Sequence, residues 1–595
     1  MAKSSTDVAV GNDGVMTGPA EINSQATQPA KGALLQAKEV TIVTRAGVRL
    51  LSDISFHVEP GELISLTGLS YTGKSTLLQS LAGLTKPTSG EILIDSIDLY
   101  ANLKAFQPVI GYVPSELALQ QNLTVTEVLR DGAMLRLPRR TSDQHRMQRV
   151  QALLETFGLT DVRDRRVGSL SRIEKRKLSI AVELIGYPKL LLVDESNEPL
   201  TPFEEIQITL LLRELSRQGV TVIQVDHRAR RTGLSDKVIF LAPGGLLAWY
   251  GPPDEASTYL KILVPRGVAR DLFGIKEALE VLANPQLQEG IEWAKRFKAD
   301  PAYQKYVDDP LNNKFPDLML QTHPLIRLRL RNNSQEKLPP PIIPRASTLQ
   351  KLILLTSRNF RLLWRDRSTF LMLVIPPLVA MVEFLLSSAT ASPPDRAPIS
   401  TGVLVFLVLL TGALLVQNEI FKEKTIYQRE NRTSPLSFPY VLSKVWLVGI
   451  LAIYQGLVWA IVHLIATGMA GGLQRFLPYA ITFFLLAVVG GIVGLMASAL
   501  SRTPTAITTW ILLFTVPQLI LSGAIIPVAE LNVLSKILSG INPSRYALQT
   551  LLTMSGYGEG FNSTPLSDWS ILAIISLSLV VILVGIQRGA VNARA

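Results

Sequence analysis

Eight residues, Gly68-Leu69-Ser70-Tyr71-Thr72-Gly73-Lys74-Ser75, carry the most specific chemistry in the sequence. Their template, Gly-x4-Gly-Lys-Ser/Thr, is that of a phosphate-binding loop. Gly68 and Gly73 let the backbone curl so that successive N–H groups converge on phosphate oxygens. Lys74 reaches toward β- and γ-phosphates, and the Ser75 hydroxyl suits Mg²⁺. Thr76 follows in the first turn of a helix whose positive end faces the same anion.

Other residues suited to such chemistry close two apolar runs. Leu190-Leu191-Leu192-Val193 ends in Asp194-Glu195, and Val220 to Val225 ends in Asp226-His227. Runs of this kind read as buried parallel strands, whose C-terminal edges are where α/β sheets place ligands. Acids at that edge serve either a ligand or the N-terminus of the next helix. Between them, Ser171 and Glu174 form the capping box of a helix running to about Ile185.

The elements that must position these groups are local. Leu63 to Leu66 is a short apolar strand leading into the loop, and Ser75 to Ala82 is amphipathic. Two β-rich stretches between Ala37 and Val58 flank a turn at Arg45-Ala46-Gly47. Ile110 to Val113 is a further strand, and Thr124 to Leu137 and Ser142 to Phe157 are helical in pattern.

This order resembles the nucleotide-binding domain of ABC transporters over Leu50 to Leu246. The resemblance implies ATP with Mg²⁺. It implies Asp194 in the metal shell beside Ser75, Glu195 polarising the attacking water, and His227 on the γ-phosphate. It also brings departures. Tyr71 replaces a loop glycine, and Ser115 stands where the family has glutamine. Arg172 and Ile173 replace the glycine pair of the signature, and Thr201 replaces an aspartate. No aromatic residue near Thr41 to Arg45 is placed to stack on adenine.

The chain has 595 residues and a net charge of +11, without a cysteine. Disulfides and thiolate sites are thereby excluded. Many of the cations flank apolar runs, which favours a membrane flank over a nucleic-acid surface. Six spans are expected, near 369–388, 400–417, 443–468, 479–500, 506–528 and 568–587. Lys422, Lys424, Arg429, Arg432 and Arg502 place their loops on the cytoplasmic side, with both termini inside. Residues 347–366, with Lys351, Arg358, Arg361 and Arg365, read as an amphipathic helix on the inner face of the membrane. Glu383, Gln455, His463 and Gln518 lie within spans, where polar groups serve either function or helix packing.

The charged stretch Asn418 to Glu430 resembles the coupling element of type-2 exporter permeases, in the white/subfamily-G arrangement with the ATPase first. The expected fold is an α/β P-loop ATPase domain of the ABC type, followed by an all-α domain of six transmembrane helices. The expected domains are a disordered tail (1–33), the ATP-binding domain (34–265), a linker (266–345) and the permease (346–595). The function implied is an exporter half-transporter in the plasma (inner) membrane. Its partners would be a second half-transporter, the lipid membrane and an unidentified transported substrate, without nucleic acid. The departures motivate an alternative, a nucleotide-binding regulatory subunit that does not hydrolyse ATP.

Overall fold

The structure, a computed structural model, describes residues 32–195, 199–227, 231–263, 287–312, 346–366, 372–389, 397–467, 473–556 and 564–592. The tail expected at 1–33 lies outside these except for its last two residues, as do residues 266–286 and 313–345 of the expected linker.

Ten strands form two sheets among the described residues. An antiparallel sheet has the order β2 (Arg49–Val58), β1 (Leu35–Val43), β4 (Ser89–Ile94), β5 (Ile97–Asp98). The second has the order β10 (Leu246–Gly251), β9 (Lys237–Ala242), β3 (Leu63–Gly68), β8 (Thr221–Val225), β7 (Leu190–Val193), β6 (Ile110–Val113). All its pairings are parallel except β9 with β10. β3, β7 and β8 are buried throughout, as unbroken apolar runs demand when helices cover both faces. The phosphate loop, Asp194 and His227 therefore leave one sheet at one edge.

Helix α1 (Lys74–Leu81) starts at Gly73, whose φ of 88° is left-handed; a Cβ there would lie 2.6 Å from the Leu50 carbonyl oxygen. Capping boxes start α2 (Val125–Arg136), α3 (Arg172–Leu184) and α4 (Pro202–Arg217), using Thr124/Glu127, Ser171/Glu174 and Thr201/Glu204. Helix α5 (Leu287–Ala299) falls inside the stretch expected as linker, yet Trp293, Phe297 and Val307 belong to the apolar core built on the two sheets. Trp249 and Tyr259 pack their rings against Phe297. Residues 287–312 thus extend the ATPase core.

Helix α6 (Thr348–Arg365) leads into the membrane half. Beyond it lie α7 (Ile375–Ala389), α8 (Ala397–Val416), α9 (Lys424–Thr433), α10 (Ser437–Ala466), α11 (Phe476–Leu500), α12 (Pro504–Leu521) and α13 (Pro565–Asn592). Among the described residues five helices are long and apolar enough to cross a membrane: Pro398–Val416, Ser437–Ala466, Leu473–Leu500, Pro504–Leu521 and Pro565–Gly589. They overlap the second to sixth expected spans, with the helix of the fifth ending at Leu521 where a span to 528 was expected. The first corresponds to α7, and residues 367–371 and 390–396 beside it are outside the description.

Glycine sets the spacing in this bundle. A Cβ on Gly490 or Gly494 of α11 would run into the Leu409 or Ala413 carbonyl of α8. Small residues four apart let two backbones meet where no hydrophobic effect drives helices together. Three of the intramembrane polar residues also serve packing. Gln455 donates to the Val408 carbonyl and the Thr411 hydroxyl, and Gln518 donates to the Phe514 carbonyl and accepts from Ser544. His463 meets the Tyr479 and Phe483 rings edge-on. The Glu383 side chain is outside the description.

Candidate functional site

The loop between β3 and α1 curls around its own lysine. Lys74 Nζ donates to the Gly68 and Leu69 carbonyls at 2.9 and 2.6 Å. The Thr72 hydroxyl ties the loop by donating to Leu69 O at 2.9 Å. Gly68 has φ 145°, and a Cβ on it would strike the Leu241 carbonyl of β9. Burial pushes Lys74 down to about 8, although Glu195 and Asp194 pull it upward. An ammonium confined this way gains an anionic partner when phosphate arrives.

Asp194 reaches the loop from two strands away. The Ser75 hydroxyl donates to Asp194 Oδ1 at 3.2 Å, and the Glu195 N–H donates to the same oxygen at 3.0 Å. Burial raises both carboxyls, with Glu195 opposed by His227. The Ser70 hydroxyl and His227 Nε2 are 3.2 Å apart. Lys74, Ser75, Asp194, Glu195 and His227, widely separated in sequence, are thus brought to one place. Leu69 is half-buried and Thr76 lies in the first turn of α1. Tyr71 stands apart: its φ is 62°, and its ring is wholly exposed.

The hard oxygen pair of Ser75 and Asp194 fits Mg²⁺, which prefers carboxylate, hydroxyl and phosphate oxygens. The loop amides and Lys74 fit a polyphosphate.

Arg176 was not singled out from the sequence. It is 3% exposed, and donates to the Pro114 carbonyl at 3.0 Å and to the Asp194 carbonyl. It thereby fixes the strand end that carries Asp194. A cation on the buried face of an amphipathic helix, two residues before Leu178, was the available signal. Arg172 sits at the exposed start of α3 and donates to the Pro199 carbonyl at 3.2 Å.

A second constellation joins the two halves. Arg361 and Arg365 of α6 pair with Asp131 and Glu127 of α2 at 2.9 and 2.5 Å. Arg429 of α9 pairs with Glu183 of α3 at 2.7 Å and donates to the Ala118 and Ser179 carbonyls. Arg432 donates to the Ile110 carbonyl, and Arg358 pairs with Glu430 at 2.7 Å. Lys444 lies between Glu419 and Glu423, each at 3.0 Å. The arginines of α6, expected at the lipid headgroups, instead face protein carboxylates. The membrane-compatible face of α6 is the stripe Leu349, Ile353, Phe360 and Trp364, all exposed.

A P-loop ATPase domain clamped by ion pairs onto a bundle of membrane-spanning helices defines a nucleotide-driven membrane protein. Residues 51–198 match the ABC transporter family, and residues 350–554 match the ABC-2 type transporter family. The chain belongs to the ABC transporters, with the half-transporter order of ATP-binding domain first and ABC-2 membrane domain second. It is 26% identical over 557 residues to the ABC transporter ATP-binding/permease protein Rv1747 of Mycobacterium tuberculosis, covering 87% of this chain and 58% of that protein. It is 24% identical over 538 residues to ATP-binding cassette sub-family G member 5 of Mus musculus, covering 86% and 80%. Its ATPase half is 34% identical over 219 residues to the broad substrate specificity ATP-binding cassette transporter ABCG2 of Rattus norvegicus, covering 35% and 33%.

Proposed function

We propose that this chain is one half of an exporter-type ABC transporter, working as a dimer in the plasma (inner) membrane with both termini in the cytoplasm. ATP would lie between the phosphate loop of one chain, Gly68 to Thr76, and the signature helix of the other. Lys74 binds the β- and γ-phosphates. Ser75 and Asp194 hold Mg²⁺, which supplies neutralisation of phosphate charge when bound. Glu195 orients the attacking water and takes its proton; burial raises its carboxyl, a shift suited to a general base. His227, anchored near Ser70, faces the γ-phosphate.

The observation that carries this reading is the Ser75–Asp194 hydrogen bond of 3.2 Å in a chain whose ATPase domain is ion-paired to its own membrane helices. Closure of two ATPase domains would move α2 and α3. Their carboxylates would pull α6 and α9 with them and re-orient the spans. The relatives named as transporters favour this over a non-hydrolysing subunit. The ATPase domain is taken to extend through residue 312, since Trp293, Phe297 and Val307 fill its core.

The test is ATP hydrolysis and substrate movement by the chain in proteoliposomes, beside Lys74→Ala and Glu195→Gln. Loss of both activities in both variants is expected. Movement that persists without hydrolysis would overturn the reading.

A further inference from the structure

Strand β6 lies at the edge of the second sheet, beside β7. Two guanidiniums hold it and the residue that follows, one from each half of the protein. At the far end Arg176 donates to the Pro114 carbonyl at 3.0 Å and also to the Asp194 carbonyl. At the start Arg432 of α9 donates to the Ile110 carbonyl at 3.0 Å. Between them stands Tyr112, 8% exposed, with the Arg432 guanidinium 5.1 Å from the centre of its ring. The Asp194 N–H donates to the Val113 carbonyl at 2.9 Å, so the end of β7 that carries Asp194 is bonded directly to β6.

Arg432 differs from its neighbours. Arg136, Arg358, Arg361, Arg365 and Arg429 all pair with carboxylates. Among the described residues Arg432 meets none at that range; its partners are a carbonyl and a ring, and its Nε has no hydrogen-bond partner. Burial pushes it down to about 10, although Glu183 and Tyr112 oppose the fall. Burial also pushes the Tyr112 hydroxyl up to about 12, with Asp194 adding to the rise and Gln79, Arg432 and Arg176 opposing it. The nucleotide site and the membrane domain thus both act on one ring.

The contacts of the junction break at different cost. Separating Glu183 from Arg429 strands buried charges of both signs. A guanidinium that leaves a carbonyl and an aromatic face leaves only neutral groups behind. The Glu183 pair is therefore the pivot, and the Arg432–Tyr112 contact is the one with two states, made and released. Coupling between distant sites needs such a two-state element.

We infer that Tyr112 and Arg432 are positioning residues through which the nucleotide site moves α9. The inference rests on the transporter reading above. When the site fills, the Asp194 end of β7 shifts. Arg176 and the Val113 carbonyl carry the shift to β6, and the Tyr112 ring changes its hold on Arg432. Neither residue belongs to the phosphate loop or to the Ser75–Asp194 pair.

The experiment uses the full chain in nanodiscs. The chain has no cysteine, so Glu530→Cys, in the exposed segment beyond α12, places one spin label on each protomer. All samples carry Glu195→Gln, so that Mg-ATP binds without being turned over. Mg-ATP is expected to change the distance between the two labels of a dimer. Tyr112→Leu deletes the ring and Arg432→Gln deletes the cation. Each should lose that change while binding Mg-ATP as tightly as the labelled parent in calorimetry. Tyr112→Phe and Arg432→Lys should keep it. A distance change retained in Tyr112→Leu or in Arg432→Gln would overturn the inference. So would a loss of Mg-ATP affinity in both, which would assign the pair to the site itself. A parent that binds Mg-ATP with its labels at one fixed distance would overturn it as well. A parent that shows no label pair, or binds no Mg-ATP, refutes the transporter dimer, and the inference falls with it. If Tyr112→Leu does not fold, Arg432→Gln against Arg432→Lys decides.

Discussion

Glu183 and Arg429, 246 residues apart in the chain, close an ion pair of 2.7 Å at the centre of the domain junction. The same carboxylate oxygen accepts from Arg136 at 2.9 Å. Both Glu183 and Arg429 are under a tenth exposed at the side chain. Glu183 is thus the hub through which α3 of the ATPase domain touches α9 of the membrane domain.

Glu183→Gln should weaken the junction severely. Burial by itself raises the Glu183 carboxyl, but Arg136, Arg429 and Arg432 outweigh it and hold the group down to about 2. Its folded value lies below its unfolded value, so its contribution is present above about pH 4.5 and is lost as pH falls through about 2. The shift corresponds to about 3 kcal/mol. Breaking a buried pair by removing one partner costs about 3–5 kcal/mol, which agrees. Thermal unfolding of the full chain at pH 7 should show the loss. ATP hydrolysis that continues without substrate movement would show that the hub also transmits.

Lys74 makes nucleotide affinity depend on pH in a stated direction. Its folded value of about 8 lies below the usual 10.5 of a lysine because burial disfavours the cation. Between these values the unfolded chain binds more protons, so the free protein gains stability as pH rises. ATP needs the cation, so affinity should move the other way, weakening roughly fivefold from pH 8 to pH 9. Lys74→Ala should lower affinity by about ten- to a hundredfold at pH 7, because it deletes charge-assisted hydrogen bonds to phosphate. It should also flatten the pH dependence. Calorimetric titration of Mg-ATP at several pH values reads both effects.

Much of the nucleotide site was legible because its signals are local. A strand, a glycine loop and a helix fit within Leu63 to Leu81, and Asp194-Glu195 directly ends an apolar run. The junction was not legible. Arg361 and Asp131 are 230 residues apart, and a helix with cations on one face and leucines on another looks the same whether the cations meet headgroups or carboxylates. The extension at 287–312 was missed for a related reason. Its aromatic residues are sparse in sequence and form a core only after β10 supplies Trp249.

The absence of cysteine allows a clean test of topology. A single cysteine at position 392, between the first two expected spans, should react with an impermeant thiol reagent added outside intact cells. A cysteine replacing Thr425 should react only after permeabilisation, since α9 lies against the ATPase domain through Arg429 and Arg432. The reverse labelling would place the ATPase domain on the wrong side and refute the orientation.

The start of α3 decides how fast this chain hydrolyses ATP on its own. In the proposed dimer, the first N–H groups of α3 face the γ-phosphate held by the partner's loop. Here that turn carries exposed Arg172 and half-buried Ile173, and Tyr71 projects from the opposing loop with its ring fully exposed. Arg172 is already bonded to the Pro199 carbonyl of its own chain at 3.2 Å, which turns its guanidinium aside. Side chains on both surfaces should hold the helix start away from the phosphate. Each charge-assisted hydrogen bond missing from the transition state costs roughly 1.5–3 kcal/mol. The absence of one slows hydrolysis by about one to two orders of magnitude. The unmodified chain alone should therefore be a slow ATPase, and Arg172→Gly with Ile173→Gly should accelerate it by that factor. A partner with an intact signature should rescue one of the two sites, because this chain's Lys74, Asp194 and Glu195 would then meet a closely approaching helix. The rates are read in nanodiscs at saturating Mg-ATP. A fast unmodified chain, slowed by the double change, would show that Arg172 leaves Pro199 on closure and binds the γ-phosphate itself, as a guanidinium is suited to do.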